Sequence, residues 1–144
     1  MGFTTRSFFR SLFVALLFSF FLAALAGCEQ EPPLVKKWRL EEVELGKELS
    51  PDMQAEFDRN KEKVTITFYE DGRFESTLDY LVGSKEKQQG EWELKGTEEE
   101  GQVLITRLEG QTTGRRFRVI ELTEDRLVLS PDNQWKMVLV PASS

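Results

Sequence analysis

The chain has 144 residues, with 19 Lys and Arg against 25 Asp and Glu, no histidine and one cysteine. Without histidine, Ser-His-Asp and Cys-His arrangements for nucleophilic catalysis are excluded, as are the commonest zinc sites. The acidic balance deepens to 17 against 25, a net charge of −8, over residues 28–144, which nucleic acid and anionic head groups repel.

Residues 1–27 differ in kind from the rest: Arg6 and Arg10 are their only charges, and an apolar run closes in small residues. The apolar core, about 14 residues, falls short of the roughly 20 that span a bilayer, which predicts a secretory signal peptide removed by processing. At its end stands Leu25-Ala26-Gly27-Cys28, which resembles the lipobox of bacterial lipoproteins. The resemblance implies a diacylglyceryl group on the Cys28 thiol, cleavage after Gly27 and acylation of the new amino terminus, with palmitate-like chains as the membrane anchor. At about 0.8 kcal/mol per buried methylene, two or more such chains hold a protein on a membrane almost permanently. In Gram-negative lipoproteins an aspartate after the cysteine commonly signals inner-membrane retention. Glu29 stands there instead, so the resemblance implies the outer-membrane default within the cell envelope. Residues 28–35, with Pro32 and Pro33 adjacent, are expected to form an extended tether between lipid and fold. With one cysteine no internal disulfide forms, so the exported domain rests on its core alone.

Residues 36–141 then read as one all-β domain. A first strand is expected over Lys36–Val43, "KKWRLEEV". After it, Ser50 is placed to cap a helix and Pro51 suits its first position, while Met53 and Phe57 share one face at i and i+4. A short helix is expected over residues 51–60, as a plug or lid across a barrel end. In "KVTITFYEDGRFESTLDY" Val64, Ile66 and Phe68 alternate with polar partners, and Phe74, Ser76, Leu78 and Tyr80 do so after a turn. A loop of Glu70-Asp71-Gly72, with Gly72 left-handed, sets Phe68 opposite Phe74, Ile66 opposite Ser76 and Val64 opposite Leu78. The alternative loop, Asp71-Gly72 alone, pairs Phe68 with Glu75 and is disfavoured by the hydrophobic pattern. Further strands are expected at Gly90–Leu94, Gln102–Glu109, Arg116–Leu122, Arg126–Ser130 and Trp135–Val140. Eight sequential strands on short turns form an antiparallel meander, and a meander of that size avoids open edges by closing into a barrel.

The order of elements, from the tryptophan-bearing "KKWRLEEVEL" through "ITFYEDGRFE", "GEWEL" and "VLITRL" to "FRVIELTEDRLVLS", resembles the lipocalin-like domains of small bacterial lipoproteins. The resemblance implies a calyx-shaped eight-stranded barrel. Its fold carries over more firmly than any ligand, because Lys36-Lys37-Trp38 stands where true lipocalins have Gly-x-Trp and the usual stabilising cysteines are missing.

Site candidates are correspondingly few. Glu75 and Asp79 fall on a strand face opposite Phe74 and Leu78 and are expected in solvent, and "TEEEG" (Thr97–Gly101) is a turn, not a spaced metal-ligand set. No catalytic residue, metal ligand or cofactor is expected. Trp38, Trp92 and Trp135, with Phe68, Phe74 and Tyr80, are the residues expected to line a cavity or to fill it. In "QVLITRLE" and "RFRVIEL" both faces are apolar, so the surface from Gln102 to Leu122 needs a cover. Arg107 and Glu121 are expected to face solvent. These features point to a membrane-tethered, non-enzymatic lipoprotein that binds an apolar or amphipathic small molecule. The alternative is an envelope interaction or assembly protein with a fully packed barrel.

Overall fold

The computed structural model describes residues 32–143, so the expected signal peptide and the first half of the tether, Cys28 included, lie outside the described residues. Eight antiparallel strands follow one another around a closed barrel: β1 (Lys37–Leu45), β2 (Thr65–Phe68), β3 (Arg73–Ser76), β4 (Gln88–Lys95), β5 (Gln102–Leu108), β6 (Arg115–Leu122), β7 (Leu127–Asp132) and β8 (Trp135–Pro141). β8 returns to pair with β1, which leaves no edge open to strand addition. One helix, α1 (Pro51–Asn60), joins β1 to β2, and a 3₁₀ turn, Leu78–Val82, lies between β3 and β4.

The β2–β3 hairpin takes the register its apolar pattern requires. Phe68 pairs with Phe74 and Ile66 with Ser76, and Gly72 adopts a φ of 86° that a side chain resists. The start of α1 likewise follows from its residues. The Ser50 hydroxyl accepts the Met53 N–H at 3.4 Å, Pro51 opens the first turn, and Asp52 and Arg59 carry charges of the sign favoured at each end.

Three strands carry a register shift: β7 between Leu129 and Asp132, and β1 and β6, each of which changes face partway through a bulge. On β1 the register shifts between Leu40 and Glu42, so Trp38 and Leu40 face the core, and then Val43 does. On β6 it shifts between Val119 and Glu121. Phe117 and Val119 face inward and so does Leu122, while Glu121 and Ile120 are exposed. The two-faced apolar pattern of "RFRVIEL" is therefore one inward face interrupted by an extra residue.

Three expectations need correction. β3 stops at Ser76 and does not run to Tyr80, because local hydrogen bonds replace the ladder. The Ser76 hydroxyl accepts the Leu78 N–H at 3.0 Å, and Thr77 bonds across to Lys63 and Thr65. The chain then turns into the 3₁₀ segment, so Leu78 leaves the ladder opposite Val64, and Asp79 shares no strand face with Glu75. Nor does the tether extend to residue 35: Leu34 is wholly buried, and the Trp38 indole N–H donates to its carbonyl at 3.0 Å. Finally, Glu75 and Asp79 are not free in solvent, since both are half-buried and ion-paired, to Lys87 and Arg115 respectively.

The core cluster runs from Leu34 and Trp38 through Phe68, Phe74, Leu104 and Phe117 to Leu127, Leu129, Met137 and Leu139. Each large side chain buried there contributes about 1.5–3 kcal/mol.

Candidate functional site

The two ends of the barrel are built differently. At the end where the chain enters, Leu34 folds under Trp38, and the Lys36 ammonium joins Glu124 of the β6–β7 turn at 2.6 Å. That end is a closed floor. At the other, α1 and the Leu78–Val82 turn lie across the mouth. Phe57 of α1 packs against the core together with Leu78, Tyr80 and Leu81. Met53, one turn earlier on the same face, is left 58% exposed, and Val82 is 82% exposed.

Between these caps and the rim runs an apolar groove of about 380 Å³. Val43 and Leu45 of β1 and Trp135 of β8 form its barrel side; Met53 and Phe57 of α1, with Leu81 and Val82, form its outer side. Glu56 is its one ionisable lining residue. The bulge on β1 makes this groove possible, because it turns Val43, and not the preceding glutamates, toward the mouth.

The interior beneath is nearly full. A void of about 30 Å³ remains, bordered by Phe68, Phe74, Leu104 and Phe117 on its apolar sides and by Ser76, Gln88, Thr106 and Arg115 toward the mouth. That is room for about one water molecule. Of the six aromatic candidates, Trp38, Phe68 and Phe74 are buried in the packed core, and Trp92 packs edge-on to Phe68 with ring centroids 5.8 Å apart. Trp92 also donates its indole N–H to the Tyr69 carbonyl at 3.0 Å. Tyr80 is half-buried in the 3₁₀ turn. Trp135 lines the groove, and it is joined there by no other member of the set. Leu49 and Val82 carry a sequence signal only as apolar residues within otherwise polar connections, whereas Leu45 ends β1 and Met53 is marked by its i, i+4 spacing to Phe57.

A second concavity, about 460 Å³ and polar, lies on the outer wall over β3, β4 and β5. Its Tyr69 side is held by charge. Lys87 pairs with Glu75 at 2.5 Å, Arg73 pairs with Asp71 at 2.6 Å, and the Arg73 guanidinium sits 5.2 Å from the Tyr69 ring centre. The Lys87 ammonium holds the Glu75 carboxyl below the usual carboxylate range, and Glu75 in turn raises Lys87. Partial burial, and next the nearby Glu75 carboxylate, push the Tyr69 phenol up. At neutral pH this wall therefore presents a neutral phenol beside an ionised carboxylate.

Among the described residues no group of three or more His, Cys, Asp or Glu side chains is placed to hold a metal ion. Nor is any described helix long and apolar enough to cross a membrane. What the geometry offers is recognition: an apolar groove at one end, a polar concavity on one side, and a packed interior between them.

Comparison with known proteins agrees with this architecture. The family model described as a lipocalin-like domain matches residues 34–129. A lipocalin-like protein from Bacteroides uniformis ATCC 8492 superposes with a TM-score of 0.52 at 16% identity, covering 76% of this chain and 99% of its own. An uncharacterized protein from Bacteroides eggerthii DSM 20697 gives 0.53 at 18% identity, with the same coverage of 76% and 99%. At such identities the likeness is one of fold. No curated protein matches the sequence.

Proposed function

The chain belongs to the lipocalin-like domain family, and from that premise we propose that it is a membrane-anchored, non-enzymatic cell-envelope lipoprotein that holds an apolar or amphipathic small molecule in the groove at its helix-capped end. One observation carries the reading. The groove, at about 380 Å³, falls within the range of roughly 300–1,000 Å³ typical of small-molecule sites, and its lining is almost wholly apolar. The interior void of about 30 Å³ is far below that range. A ligand on this barrel therefore lies across the mouth, against Met53, Val82 and Trp135, and not inside the calyx.

Residues such as Met53 and Val82 in water cost apolar hydration that a ligand relieves, at about 25 cal/mol per Å² covered. Methionine adapts its shape to irregular partners. Glu56 at the rim offers an acceptor, which suits a ligand whose polar end donates hydrogen bonds. The expected anchor, diacylglyceryl on Cys28, places the domain beside a membrane, where such molecules are abundant.

Native mass spectrometry of gently purified protein, followed by titration with a hydrophobic fluorescent probe, tests the reading. A co-purifying small molecule, or probe binding that Val82→Asp and Met53→Asp each weaken, is expected. A consistently empty protein with no probe affinity would overturn it. Cys28→Ser is expected to abolish labelling by a fatty-acid analogue; unchanged labelling would remove the anchor from the proposal. A second reading, an envelope interaction or assembly factor, draws on the packed interior and on Ile120, 47% exposed on the outer face of β6. Crosslinking in intact cells decides between them, because a small-molecule carrier requires no protein bound to Gln102–Leu122.

A further inference from the structure

We propose that the polar concavity over β3, β4 and β5 is a second binding site, independent of the groove, and that it takes a neutral, hydroxyl-rich ligand: a carbohydrate. The inference rests on how outward-facing side chains alternate there. Strand pairing places Arg73 beside Glu91 and Glu91 beside Arg107, one row across three strands. The adjacent row runs from Glu75 to Gln89, with Glu109 bonded through its backbone to the Gln89 carbonyl at 3.0 Å. Cross-strand neighbours stand about 4.5–5.5 Å apart, and successive rows about 7 Å apart.

These six side chains form a grid in which planar donors and planar acceptors alternate. A phosphate or carboxylate drawn to Arg73 and Arg107 meets Glu91 between them. A cation drawn to Glu91 meets an arginine on either side. The ligand that satisfies both kinds of neighbour has groups that donate and accept at once, which is the property of a hydroxyl. Several hydroxyls on one rigid ring then engage several grid positions together.

Part of the grid is fixed and part is waiting. Glu75 is held by Lys87 and by the Gln89 amide, which donates to it at 3.3 Å; Arg73 is held by Asp71 and by the Tyr69 ring. Glu91, Arg107 and Glu109 make no ion pair among the described residues. The held side lowers the entropic cost of binding, and the unengaged side supplies the hydrogen bonds. At about 460 Å³ the concavity lies within the small-molecule range of roughly 300–1,000 Å³.

Isothermal titration of the full-length protein with cellobiose, maltose and diacetylchitobiose, and with glucuronate and inorganic phosphate as charged controls, tests the site. At least one disaccharide is expected to bind with a Kd of about 1 mM or tighter, while the charged probes bind more weakly. Arg107→Ala and Glu91→Ala are each expected to weaken that binding about tenfold, with the melting temperature unchanged. Arg107→Lys keeps the charge but loses the planar fork, and is expected to weaken it as well. The proposal is overturned if no disaccharide binds, if glucuronate or phosphate binds in preference, or if binding is indifferent to all three substitutions. Met53→Asp, which disables the groove, is expected to leave sugar binding intact, so the two sites fail separately.

Discussion

The floor and the mouth of this barrel are made of similar side chains put to opposite use. At the floor Leu34, Trp38, Leu127 and Leu139 are buried to within a few per cent, and the one indole N–H among them has a partner. At the mouth Leu45, Met53 and Val82 stay exposed although an open, apolar rim lies beside them. Hydrophobic burial stabilises the first end; at the second the same driving force is left unspent and available to a ligand. Exposure of scattered apolar residues is ordinary, but exposure concentrated around one groove is a feature of binding surfaces.

The largest test of this contrast compares Trp38→Ala with Met53→Ala. The floor substitution opens a cavity under the core and is expected to cost about 3–5 kcal/mol in urea or thermal unfolding. The mouth substitution, on a residue already more than half in water, is expected to change stability by no more than about 0.5 kcal/mol. If both cost alike, the mouth is part of the core and the division fails.

Two glycines sharpen it further. Gly72 in the floor-end hairpin and Gly83 behind the 3₁₀ turn at the mouth have nearly equal φ values of 86° and 84°. Alanine at either position carries the same intrinsic strain, about 1–2 kcal/mol. At Gly72 the strain falls on the Phe68–Phe74 pairing, so the whole of it is expected in the unfolding free energy. At Gly83 the short Leu78–Val82 turn is expected to fray locally instead. Hydrogen exchange reads the difference: faster exchange confined to residues 78–83 in Gly83→Ala, and a uniform increase in Gly72→Ala.

Next in size is Ser50→Ala, which removes the cap of α1 and is expected to cost about 1 kcal/mol of helix stability. Because α1 carries Met53 and Phe57, probe affinity for the groove is expected to fall as well, with the floor unaffected. A loss of stability without any change in probe binding would separate the helix from the site.

Much of this organisation is legible in the sequence where a local rule acts alone. Phe68, Glu70-Asp71-Gly72 and Phe74 set their own register, and Ser50-Pro51 sets the start of α1, because turn and cap chemistry is decided within a few residues. The bulges at Glu41 and Ile120 are not legible, since an extra residue in a strand is revealed only by its partner's register. For that reason "RFRVIEL" reads as a strand with two apolar faces. The end of β3 is hidden similarly: Ser76 and Thr77 continue the alternation, while their hydroxyls bond the backbone and end the strand. The groove draws on residues 43–57, 81–82 and 135, and the outer grid on three strands, so neither has a contiguous signature. The aromatic residues, expected to line a cavity or to fill it, divide between the two: Trp38, Phe68 and Phe74 are packed in the interior, while Trp135 lines the groove.

The smallest expected effect concerns pH, and it sets the outer wall apart from both ends. Glu75 titrates below the usual carboxylate range because Lys87 favours its charged form, and Lys87 titrates above the usual lysine range for the same reason. For Glu75 the folded value lies below the unfolded one, so its contribution is full above the unfolded value and is lost as pH falls through the folded one. For Lys87 the order reverses: its contribution is full below the unfolded value and is lost as pH rises through the raised folded one. The pair therefore supports the fold across the neutral range and fades at both extremes. Both groups are partly exposed, so solvent and salt screen the effect. Urea midpoints measured against pH are expected to fall slightly more steeply in acid for the natural protein than for Glu75→Gln, and Lys87→Met is expected to flatten the alkaline side too. Since Glu75 belongs to the held part of the grid, sugar affinity is expected to follow the same acid limb while probe binding in the groove does not. A groove that weakened in parallel would mean that wall and mouth are one cooperative unit and not two sites.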